Sequence, residues 1–218
     1  MTKKLRIVPL GGLGEIGKNM MLYEYGENIL VVDTGIMFPE NDMLGIDYII
    51  PDFDYLMNRL DLVRGIVITH GHEDHTGAIS HVVEHVAAPV YATALPRGLL
   101  EVKLSRGGLL DKVDLNTVKA GDMVHIGPFT VELFHVCHSI PDSVGLGITT
   151  PAGLVVHTGD YKFDPTPVDG WPTDFAKLAE FSGRGVLALL ADSTNADKPG
   201  WTPSEKVIDP ALQKAFSE

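Results

Sequence analysis

Within six residues, His70, His72, Asp74 and His75 offer four potential metal ligands in the run His70-Gly71-His72-Glu73-Asp74-His75. Imidazole and carboxylate donors suit zinc and manganese alike. His70 and His72 alternate to one side, which suits one cation, while Asp74 and His75 turn toward a second. Two neighbouring divalent cations make hydroxide near neutral pH and clamp a developing oxyanion, which is the chemistry of metal-assisted hydrolysis. Four such polar groups desolvated without a metal would be costly. Further ligands are needed to complete the coordination. His138 opens a polar loop directly after a strand and is the best further ligand for the first cation. Asp160, whose carboxylate has two oxygens, is the best bridge.

These side chains need a rigid frame, and the hydrophobic pattern supplies one. Residues 65–69 are short, apolar and β-branched and read as a buried strand. The motif follows as a loop. Residues 77–87 then carry helical apolar spacing through Ala78, Ile79, Val82, Val83 and Val86. A further helix is expected over 51–60 and another over 96–105. Strands are expected over 4–10, 19–25, 29–33, 89–92, 113–118, 125–126, 129–136, 144–149, 153–158 and 186–190. Acids or histidines stand at four strand ends, residues 33, 70, 160 and 192, the way layered sheets build active sites. Asp33 is either a turn former or a carboxylate that orients a ligand histidine through its ring N–H.

Other candidates read more plainly. Gly12, Gly14 and Gly17 spell a dinucleotide fingerprint, but strand, turn and strand follow instead of the helix that motif requires. His81 and His85 stand four residues apart on the expected helix and face solvent. His135 alternates away from His138. His157 is read as core, or as a support for the ligands, and Cys137 as a small buried hydrophobe.

The chain has 218 residues, of which 44% are hydrophobic, with a mean hydropathy of +0.11, so it can bury a sizeable core. One cysteine excludes an intramolecular disulfide framework and points to the cytoplasm. The basic start Met1-Thr2-Lys3-Lys4-Leu5 lacks the apolar segment of a signal peptide, and no run is long enough to span a membrane. A net charge of −12 and a pI near 5.1 argue against a broad basic nucleic-acid surface. Bound divalent cations would restore positive charge where a phosphate binds.

With the motif at 70–75, a later His138 and a later Gly159-Asp160, the chain resembles the metallo-β-lactamase fold superfamily. The stretches Val8-Pro9-Leu10-Gly11-Gly12-Leu13-Gly14-Glu15-Ile16-Gly17-Lys18-Asn19, Val32-Asp33-Thr34-Gly35, Pro51-Asp52, Thr69-His70-Gly71-His72-Glu73-Asp74-His75, His138-Ser139-Ile140-Pro141-Asp142-Ser143, His157-Thr158-Gly159-Asp160-Tyr161-Lys162-Phe163-Asp164 and Ala191-Asp192-Ser193-Thr194-Asn195 are similar to the ribonuclease J family of β-CASP nucleases. That resemblance implies an α/β fold, the αββα sandwich of two mixed sheets flanked by helices. It also implies a two-metal enzyme, using zinc or manganese, that acts as 5′→3′ exonuclease and endonuclease on RNA. Carried over by position, His70, His72 and His138 hold one metal, Asp74 and His75 the other, and Asp160 bridges. A hydroxide between the metals would attack phosphorus, with Asp74 orienting or deprotonating it. Asp192 matches an acidic position that supports a catalytic histidine, and Ser139 is a candidate substrate-binding residue.

Family members are far longer, with a β-CASP insertion following the segment that ends here. Residues 1–218 are therefore expected to form one domain of a larger enzyme, weak or inactive alone. In that enzyme, homo-oligomers or RNA-decay partner proteins are expected. Cys137 stands where the family leads one to expect Asn. Two rivals remain at this level: a stand-alone hydrolase of a lactone or β-lactam, and an inactive RNA-decay scaffold whose metals are structural.

Overall fold

In the computed structural model, residues 4–217 are described; Met1–Lys3, where the basic N-terminus begins, and Glu218 lie outside them. The chain builds two mixed β-sheets packed face to face. The first has six strands in chain order: β1 (Leu5–Gly11), β2 (Met20–Tyr25), β3 (Ile29–Val32), β4 (Val63–Val67), β5 (Val90–Ala92) and β6 (Leu115–Thr117). β1 to β3 pair antiparallel and β3 to β6 parallel. The second has five: β7 (Met123–Ile126), β8 (Phe129–His135), β9 (Val144–Thr150), β10 (Gly153–His157) and β11 (Val186–Leu190), with β11 pairing parallel to β10 at one edge.

Three apolar layers explain the pattern. Between the sheets, Tyr23, Leu30, Val32 and Val67 meet Val131, Leu133, Leu146, Ile148 and Val155. On the outer face of the first sheet, Ile29, Val31 and Ile66 pack against α3 (Ile79–Val83) and α4 (Ala94–Arg106) through Ile79, Val82, Leu100 and Leu104. On the outer face of the second, Phe134, Leu154 and Val156 pack on Phe181 of α5 (Phe175–Arg184). Strand β3 is apolar at every position because both of its faces are covered. The result is the expected αββα order.

The helix expected over 96–105 is present as α4, but the other two expected helices are shorter than the periodicity predicts. The expected helix over 51–60 is one turn, α1 (Asp54–Met57), and that over 77–87 is only α3. The motif itself is not all loop, since its second half winds into α2 (Glu73–Thr76). The break between α2 and α3 has a physical cause: the Ala78 N–H leaves the helix to bond Thr34 O at 2.8 Å. A last helix, α6 (Ile208–Ser217), buries none of its residues. No helix among the described residues is long and apolar enough to cross a membrane.

One buried charge anchors α5. Glu132 in β8 is 5% exposed and is held by Arg184 at 2.6 Å and Lys177 at 2.8 Å. Burial raises its pKa, but these two cations outweigh it and hold the carboxyl below the ordinary glutamate range. Its folded value being depressed, the stabilisation is present above the unfolded pKa and is lost as pH falls through the folded one. Glu132→Gln is expected to cost about 1–3 kcal/mol at neutral pH, less than a wholly buried pair because both cations are partly exposed. The deficit should close in acid; urea melts at neutral and acid pH check both statements.

Candidate metal centre

The site is assembled at one end of the sandwich, from both sheets. The chain leaving β4 brings His70, His72 and His75, the chain leaving β8 brings His138, and the chain leaving β10 brings Asp160. Four imidazoles converge. His70 lies 4.9 Å from His72, 4.0 Å from His75 and 4.8 Å from His138, measured between ring centroids. Two donor groups result, each with its ligand atoms within 4.8 Å of one another: His70, His72 and His138, and His70, His75 and Asp160.

The first group matches the expected trio for one cation. The second differs in one member, because His70 stands where Asp74 was expected. The Asp74 carboxylate is still close, 3.7 Å from His75 Nε2. Asp160 spans both groups, with Oδ1 3.3 Å from His75 Nε2 and Oδ2 3.8 Å from His138 Nε2.

Asp33 resolves as a carboxylate that orients a histidine. It is 1% exposed and in the left-handed region at φ 62°. Its Oδ1 accepts the Thr69 N–H, and its Oδ2 accepts both the Thr69 hydroxyl and His75 Nδ1–H, each at 2.8 Å. With the Thr69 hydroxyl proton committed, Thr69 Oγ1 accepts from His70 Nδ1 at 3.0 Å. The proton of His70 is thereby fixed on Nδ1, which leaves the Nε2 lone pair bare. That Nε2 is buried with no hydrogen-bond partner.

A buried orphan acceptor normally costs stability, and here it faces the centre of four imidazoles, the arrangement a divalent cation fits. Electrostatics agree. Burial, followed by the His75 charge, drives the His70 pKa down to about 2, and burial also lowers His138, so both keep bare lone pairs. Burial would lower His75 too, but Asp33 and Asp160 hold its pKa up at about 10. Asp160 is raised by burial but pulled further down by its hydrogen bond to His75. A cation in place of the His75 proton would satisfy the same carboxylates.

The motif is clamped from behind by backbone. Thr34 N–H bonds His75 O at 2.8 Å, Ile36 N–H bonds Glu73 O at 3.0 Å, and Asn19 N–H bonds Asp74 O at 3.0 Å. Gly35 lies so close that a Cβ there would fall 1.6 Å from Asp74 O. Asn19, to which the residue chemistry assigned no task, adds its side chain: Nδ2 donates to Asp74 O at 3.1 Å and lies 3.0 Å from His75 Nε2. Only its position after the glycine run, at the end of the family-like stretch, pointed to it.

A cleft of about 750 Å³ opens onto the centre. It is lined by the Gly11–Gly17 loop, Asp33, Asp74, His75, His157, Asp160 and Asp192. The glycines thus form a rim and not a nucleotide turn. Asp192 caps its own turn, accepting the Thr194 N–H at 2.8 Å. Ser139 is exposed and does not line this cleft. His85 is exposed as expected, while His81 is half-buried and bonds Tyr48 Oη at 3.0 Å. His135 is turned away and stacked on Trp171, and Cys137 is buried.

The sequence profile of the beta-lactamase superfamily domain matches residues 10–176. The chain is 46% identical to ribonuclease J of Synechocystis sp. over 100% of its own length and 34% of that protein's. It is 44% identical to ribonuclease J2 of Bacillus subtilis over 99% of its length and 39% of that protein's. It therefore spans about a third of the length of these relatives. Among solved structures, Zn(2+)-bound PqqB of Methylobacterium extorquens aligns with a TM-score of 0.59 at 15% identity, covering 90% of this chain and 78% of that one. A protein of unknown function from Enterococcus faecalis aligns at 0.68 with 18% identity, covering 96% and 56%.

Proposed function

The chain belongs to the beta-lactamase superfamily domain family, and from that membership we propose that it is the metal-centre domain of a ribonuclease J-like enzyme, hydrolysing phosphodiester bonds in RNA. The observation that carries this reading is the pair of donor groups sharing His70, of which His75 and Asp160 face an open cleft, in a chain 46% identical to a ribonuclease J along its whole length.

In this reading His70, His72 and His138 hold one cation. His75 and Asp160, with Asp74 beside them, hold the other. Zinc or manganese there would supply an activated water and neutralise charge on the phosphoryl oxygens. The chain's own residues do the rest. Asp33 keeps the His75 ring aimed, Thr69 keeps His70 in the tautomer with a free Nε2, and Asp74, partly exposed at the cleft, takes the proton of the attacking water. Asp192, which lines the cleft, would support a catalytic histidine in the longer protein. We assign 5′→3′ exonuclease and endonuclease action to that longer protein, in the cytoplasm with RNA-decay partners, because the chain spans a third of its relatives.

The expected result is slow RNA cleavage by the isolated chain with manganese or zinc, and none of nitrocefin or an acyl-homoserine lactone. His72→Ala should lower the RNA rate more than about 100-fold, beyond the 10–100-fold typical of groups that only orient ligands, while the thermal melt of the metal-free chain stays within a few degrees. Brisk lactone or nitrocefin turnover would overturn the RNA reading. Unfolding of His72→Ala would favour metals with a structural task.

A further inference from the structure

Tyr23 lies wholly buried in β2, between the sheets, and its hydroxyl is 2.8 Å from Nδ1 of His157 at the end of β10. The rings meet edge-on, centroids 6.2 Å apart at 74°. Burial, helped by the Asp33 charge, holds the phenol well above the ordinary tyrosine range, so it stays neutral. A buried phenolic O–H needs an acceptor, and among the described residues His157 Nδ1 is the partner it has. The O–H therefore donates to Nδ1, and the single ring proton of a neutral His157 sits on Nε2. Burial lowers the His157 pKa, which keeps the ring neutral. With one nitrogen accepting and the other protonated, His157 is barred from ligating a cation.

His157 nevertheless lines the cleft, along with Asp33, His75 and Asp160. Several other side-chain donors on that wall are committed. The Asn19 amide donates to Asp74 O, the Thr158 hydroxyl to Gly159 O, and the Thr194 hydroxyl to Asp192. Apart from His75, whose proton a bound cation would replace, the charged side chains lining the cleft are carboxylates, which repel an anionic substrate. We propose that His157 Nε2–H is a substrate-binding donor to a phosphoryl oxygen at the metal centre, and that Tyr23 is the positioning residue that fixes its tautomer. This rests on the phosphodiester reading above. An N–H held neutral and fixed in direction stabilises such an oxygen without exchanging a proton.

The test is nitrogen NMR of histidine-labelled, zinc-loaded chain titrated with uridine 5′-monophosphate. His157 should show the Nε2–H tautomer, and its Nε2 signal should move on nucleotide binding. His157→Ala should weaken nucleotide affinity about tenfold, the loss of one hydrogen bond to a charged group, with zinc stoichiometry unchanged. Tyr23→Phe, which keeps the core volume, should mix the two tautomers and weaken affinity a few-fold, roughly the loss of a single neutral hydrogen bond. An Nδ1–H tautomer in the parent chain would overturn the proposal. So would nucleotide shifts at His70, His72 and His138 with His157 unmoved, an outcome that leaves the phosphodiester reading standing. Zinc-loaded chain with no nucleotide shift at any histidine would overturn both.

Discussion

Asp33→Ala is expected to weaken zinc binding by about 10–100-fold, the usual toll of losing a group that orients a ligand histidine, and to destabilise the metal-free fold by about 3–5 kcal/mol. One carboxylate answers three buried donors, the Thr69 N–H, the Thr69 hydroxyl and His75 Nδ1–H. Its removal frees the His75 ring to turn and frees the Thr69 hydroxyl to donate to His70, which would move the His70 proton onto the ligating nitrogen. The stability loss follows from breaking a buried pair while the other member stays buried. Calorimetric zinc titration and chemical denaturation read the two effects separately. Zinc affinity equal to that of the parent would show that His75 is not oriented by this carboxylate.

Gly35→Ala should prevent folding, or cost more than about 4 kcal/mol, the range reached only by specific mechanisms such as severe overpacking. The clash is with backbone: the added carbon would sit 1.6 Å from Asp74 O and 2.9 Å from Asn19 N. No rotamer change relieves it, and moving Asp74 moves the motif. Gly98→Ala is the control. That glycine is within α4 with nothing within 4 Å of its Cβ position. There the substitution should stabilise by up to about 1 kcal/mol, since alanine is the better helix former. Circular dichroism and thermal melts of the two proteins decide; a well-folded Gly35→Ala would mean that the backbone clamp behind the motif is slack.

The ligand-bearing strand ends were legible because each follows an apolar run that ends in a polar residue, as at Val32-Asp33 and Thr69-His70. Strands read well for the same reason: β3 is apolar without interruption where both of its faces are covered. Two of the three expected helices read poorly, those over 51–60 and 77–87. Apolar spacing over 77–87 does not reveal that Thr34 O takes the Ala78 N–H and splits the helix. Likewise the one-turn α1 depends on packing of Leu56, not on its own propensity. The Asn19 contacts join residues 55 and 56 positions apart, and residue type and spacing carry no sign of them. That His70 sits in both donor groups is a matter of three-dimensional placement that the alternation of His70 and His72 does not encode.

Because the donors come from both sheets, a bound cation would act as a cross-link that ties one half of the sandwich to the other. Separating the halves would then require losing the ion, so heat tolerance would become a gauge of free metal concentration. At 100 times the dissociation constant a single site adds about 2.7 kcal/mol. The protein would weather a warm, metal-replete medium and soften in a chelating one, with no change in any of its side chains.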